Sequence, residues 1–193
     1  MPIKIAAVGF VLAAVMDIVT MVYTHVLTTE RFREQVPPSV QQYVNLNVIG
    51  LVKSLLYCGA VLAIVVHLNE TGGAGGLLVL GALTGVIAQI TKLTATGDKI
   101  QGDSAFDAHD GGMLAVLAGS ITLLVSLQQQ QPTGSTKHMA YALAAGSLFE
   151  CLANSLDKTS ESAAVVATAL QTFGTVAQLG GAGVFAGIAF RGK

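Results

Sequence analysis

Six predominantly apolar stretches, each near the length needed to cross a bilayer, follow one another along this chain. They are Ile3–Leu27, Leu46–Leu68, Ala74–Ala95, His109–Leu127, His138–Leu156 and Ser162–Phe190. About 20 mostly apolar residues suffice for a spanning helix, and a helix satisfies its own backbone polar groups, as lipid requires. Barrel strands would alternate apolar and polar residues, and these runs do not. The expected fold is all-α: a polytopic transmembrane helical bundle of about six spans, one integral membrane domain over residues 1–193. Four spans with two interfacial helices is the alternative.

Composition points the same way. Hydrophobic residues make up 52% of the chain and charged residues 11%, less than half the roughly 25% of an ordinary soluble domain. That is too little charge to cover a water-facing surface. Ten Lys+Arg against eleven Asp+Glu leave no basic footprint, so nucleic acid is not an expected partner. The lipid bilayer is. Cys58 and Cys151 both lie in apolar runs and read as small hydrophobes rather than a disulfide.

The breaks between runs are polar. Thr28–Asn45 holds Glu30, Arg31, Arg33, Glu34 and the Pro37-Pro38 pair, while Asn69–Gly73 is short enough for a tight turn. Thr96–Ala108, Gln128–Lys137 and Asp157–Glu161 complete the set. The apolar run after Lys4 continues past Asp17 without a small-residue cleavage site, so it reads as a first span rather than a signal peptide.

Six spans place both termini on one side. Lys4, Lys137, Arg191 and Lys193 then face Arg31, Arg33, Lys99 and Lys158 across the membrane, and the positive-inside rule ties. The acids crowd the side opposite the termini, which leans the termini toward the cytoplasm. On this topology, single cysteines at Thr28 and Glu70 should label from opposite faces.

A fixed offset of 62 residues relates the even-numbered runs. Asn47, His109 and Gln171 stand near their starts, and Gly50, Gly112 and Gly174 follow three residues later. In the odd runs Asp17, Gln89 and Glu150 each lie eight residues after Gly9, Gly81 or Ala142. The pattern suggests three sequential two-helix repeats, over residues 1–73, 74–135 and 136–193, around an axis along the membrane normal.

Four ionisable residues fall inside the spans: Asp17, Lys53, Lys92 and Glu150. Each costs about 2.5–3.5 kcal/mol at a helix centre on the insertion scale, so each needs a partner or a purpose. At 1.5 Å per residue, Asp17 and Lys53 lie roughly 15 and 11 Å from the membrane face opposite the termini, a depth match that predicts pairing. Glu150 and Lys92 lie roughly 9 and 5 Å from that face. Ser147, Glu150, Asn154 and Asp157 share one helical stripe, as do Gly85, Gln89, Lys92 and Thr96. The expected intramembrane polar cluster is Asp17, Lys53, Gln89, Lys92, Glu150 and Asn154, with helix-start polar positions Asn47, His109 and Gln171.

The expected role of that cluster is structural. Charges that cancel in pairs would act as glue in a structural or accessory subunit of a larger assembly, with other membrane subunits or self-association as partners. The absence of tryptophan, an interfacial lipid anchor, fits a chain ringed by subunits. Alternatively, the polar half is the vestibule of a small channel or transporter for an ion, a proton or a small solute. No catalytic motif and no metal-spaced ligand set occurs, so the chain is read as non-enzymatic with no cofactor. Haem held between His25 and His109, or His67 and His138, is the remaining cofactor alternative.

Overall fold

A computed structural model describes residues 2–34, 39–68, 73–94, 114–119, 121–122, 134–156 and 160–191. All of these except Ser39, Leu156 and Ser160 are helical. The helices are α1 (Pro2–Glu34), α2 (Val40–Leu68), α3 (Gly73–Thr94), α4 (within residues 114–122), α5 (Gly134–Ser155) and α6 (Glu161–Arg191). The fold is an all-α bundle.

Local chemistry explains several boundaries. Ser39 and Gln42 form a reciprocal cap at the start of α2: the Gln42 amide donates to Ser39 Oγ, and the Ser39 amide to Gln42 Oε1. Ser160 caps α6, accepting the Ala163 amide on its hydroxyl and the Ala164 amide on its carbonyl. Gly73 opens α3 with φ +20°, a conformation that favours glycine. The first two spans, Pro2–Leu27 and Val44–His67, leave the break close to the expected Thr28–Asn45, although α1 itself continues to Glu34 and α2 resumes at Val40. Glu and Arg are good helix formers outside lipid, so the helix carries on until the Pro37-Pro38 pair approaches.

Among the described residues, four helices are long and apolar enough to cross a membrane: Pro2–Leu27, Val44–His67, Gly73–Thr94 and Glu161–Arg191. The expected span at His109–Leu127 lies largely outside the described residues. Helix α5 occupies the place of the fifth and carries an apolar stretch over Ala144–Ala153 among the described residues.

The surface is that of a protein with its apolar side outward. Val8, Leu12, Val15, Val19, Val22 and Val26 form an exposed stripe along α1, and Leu80, Leu83, Ile87 and Ile90 another along α3. In water such continuous apolar faces would aggregate; against acyl chains they cost nothing. The arrangement is compatible with a multi-pass membrane protein. Most threonines on these helices return their hydroxyls to their own backbone, as Thr20 does to Met16 (2.9 Å) and Thr168 to Ala164 (2.9 Å).

Helix α1 packs between α2 and α6, with α3 against α2 and α5 against α6. The contacts use small residues. A Cβ added at Gly9 of α1 would lie 2.9 Å from the Ala60 Cβ of α2 and 3.3 Å from the Leu56 carbonyl oxygen. Gly9→Ala is therefore expected to force the pair apart and cost about 1–3 kcal/mol, read by SDS-titration unfolding in mild detergent. Lys4 Nζ stands 5.6 Å from the Phe190 ring centroid, so the start of α1 and the end of α6 share one end of the bundle.

Candidate functional site

The half of the bundle away from that end contains a partly open cavity of about 320 Å³, and all six helices contribute to its wall. At its centre, Lys53 of α2 reaches two carboxylates. Its ammonium donates to Asp17 Oδ1 of α1 and, at 3.2 Å, to Glu150 Oε1 of α5. Thr175 of α6 donates its hydroxyl to the other Asp17 oxygen at 2.7 Å, where most described threonines bond their own helix. One cluster thus ties four helices together. The three charged side chains keep 13–20% of their exposure, the exposure of groups that face a cavity.

The pairing differs from the two separate ion pairs that charge counting suggests. Lys53 serves both acids, because α5 reaches the same cavity as α1 and α2. Lys92 also lines the wall, three residues beyond Gln89 toward the far end of α3. Gln89 itself packs against α2, where the absence of a side chain at Gly50 leaves it room: a Cβ there would lie 2.8 Å from Gln89 Oε1. Among the described residues neither Gln89 Oε1 nor the Tyr57 hydroxyl has a hydrogen-bond partner, although both atoms are buried. An unmet polar group in a low-dielectric interior costs about 1–3 kcal/mol.

Asp17, Gln89 and Glu150, at corresponding positions in the odd runs, all line this one cavity. Asn47 and Gln171 line it too, and so do Ser54, Val116 and Gln178, which are spaced by 62 residues. His109 lies outside the described residues. Asn154 is on α5 one turn after Glu150, but its side chain and that of His138 are not described. His25 and His67 are exposed. Sequence reasoning missed Thr175, Thr20 and Thr24 as lining residues. The first stands one turn after Gln171, and the others continue the Asp17 stripe, so helical spacing held the signal.

Toward the terminal end the described residues close the cavity with packed hydrocarbon. Phe10 meets Tyr57 edge-on with centroids 5.7 Å apart and Phe185 at 6.4 Å. Phe185 is 0% exposed and Phe10 3%, and Val61, Ile64, Leu78 and Val116 fill in around them. Tyr57 joins the two zones, its ring in the plug and its hydroxyl near the polar wall. Among the described residues no three His, Cys, Asp or Glu side chains converge as a metal site.

No protein-family model, curated protein or solved structure matches the chain.

Proposed function

We propose that this protein is a non-enzymatic membrane protein whose one-sided polar vestibule takes up an ion, a proton or a small solute from the face opposite its termini. The observation that carries this reading is the convergence of Asp17, Gln89 and Glu150 on a single cavity. Polar groups used only as glue would be consumed by helix-helix contacts, leaving no such space. Here the space exists, and Asp17, Lys53 and Glu150 on its wall keep 13–20% of their exposure. Ionisable groups within a bilayer are costly, and lining a solvent-filled cavity is one arrangement that offsets the cost.

A second reading keeps one specific observation in its favour. The Lys53 cluster cross-links α1, α2, α5 and α6, as a structural subunit of a larger membrane assembly would require. Reconstitution separates the two. In liposomes the vestibule reading expects flux of an ion, a proton or a small solute, reduced about tenfold or more by Glu150→Gln, because the variant loses a hydrogen bond between charged groups. Flux absent from the lone protein, with stable co-purification of other membrane subunits in mild detergent, would favour the assembly reading instead.

A further inference from the structure

The geometry points to a small organic monocation bearing N–H donors, an alkylammonium or a guanidinium, as the occupant of the cavity. This rests on the vestibule reading and names its ligand class. The first argument is charge. Asp17 and Glu150 share the single ammonium of Lys53, so among the described residues the deep cluster sets two carboxyl groups against one ammonium. Lys92 lines the wall farther along α3, nearer the face, so the two acids and Lys53 stand deepest.

The second argument is hydrogen-bond chemistry. Asp17 already receives Lys53 and Thr175 on its two oxygens, whereas the described residues give Glu150 only the Lys53 ammonium, on Oε1, and its side chain keeps 17% of its exposure. A ligand with N–H groups supplies donors to the second Glu150 oxygen.

Size is the third argument. A cavity of about 320 Å³ is at the lower end for small-molecule sites, and a bare alkali ion would fill only a fraction of it. Gly50, Lys53 and Tyr57 share one stripe of α2 and span roughly 10 Å along its axis. A cationic head at the level of Glu150 would therefore leave a short apolar tail against the Tyr57 ring, which also favours a cation nearby.

The test uses the whole protein in nanodiscs and calorimetric titration with methylammonium, guanidinium, tetramethylammonium, acetamide, acetate and potassium. Methylammonium and guanidinium are expected to bind and to compete with each other. Tetramethylammonium, a cation with no N–H, should bind about tenfold more weakly or worse. Glu150→Gln should weaken guanidinium about tenfold. Acetate, acetamide or potassium binding as tightly as guanidinium would overturn the ligand class. So would an absence of all binding in a protein whose Ser54→Cys variant still labels from the far face, and the vestibule would then stand. Failure of both binding and labelling would remove the vestibule together with its ligand.

Discussion

Lys53→Met is expected to destabilise the protein by about 3–5 kcal/mol, because it leaves two carboxylates facing each other inside the bundle with no cation between them. The loss falls on the centre of the molecule. Asp17 keeps the Thr175 hydroxyl, but the described structure gives Glu150 Lys53 as its hydrogen-bond donor. A neutral triple replacement, Asp17→Asn with Lys53→Met and Glu150→Gln, should regain most of the stability, since it removes the charge and the need for a counter-charge together. SDS-titration unfolding in mild detergent measures both. Losses that add across the three single variants, with no recovery in the triple, would show that these residues do not act as one cluster.

Opening the aromatic plug is expected to have the largest effect on permeability. The Phe10→Ala and Phe185→Ala double variant removes two rings that are 3% and 0% exposed and meet 6.4 Å apart beneath the cavity. Hydrophobic constrictions block ions by excluding water, and loss of both rings lets water continue from the vestibule into the terminal half. Proton leak through liposomes carrying the variant should rise about tenfold or more over the parent, a change equivalent to about 1.4 kcal/mol off the barrier. A leak unchanged from the parent would place the permeability barrier elsewhere. Ala substitutions on the lipid face, such as at Val8 and Val19, serve as controls and should leave the leak as it is.

Much of this site is legible in the sequence because helical geometry is regular. Depth arithmetic alone matches Asp17 with Lys53, and three- and four-residue steps gather Gln89 with Lys92 and Asn47 with Gly50 and Lys53. Helix order around the bundle is not periodic information, and the double role of Lys53 depends on it. Nothing in the spacing of α5 says that Glu150 will face α2, so the charges look as though they cancel in two pairs. Thr175 was hidden by its company, since most described threonines bond within their own helices and only the neighbour across the interface turns this one toward Asp17. The end of the first span, Leu27, is legible too, although the helix runs on beyond it. Hydropathy marks where lipid ends, at about Leu27, whereas the helix itself persists to Glu34 because charged residues remain good helix formers in water.

Accessibility of Ser54 tests the vestibule most directly. Ser54 lines the cavity one residue from Lys53, and Cys58→Ala with Cys151→Ala gives a background free of other thiols. In right-side-determined vesicles, a small membrane-impermeant thiol reagent should modify Ser54→Cys from the face opposite the termini and not from the terminal face, while Val8→Cys in the lipid stripe stays unreactive from both. Modification from neither face would show a dry, glued interior, and modification from the terminal face would show that the aromatic plug does not close the bundle.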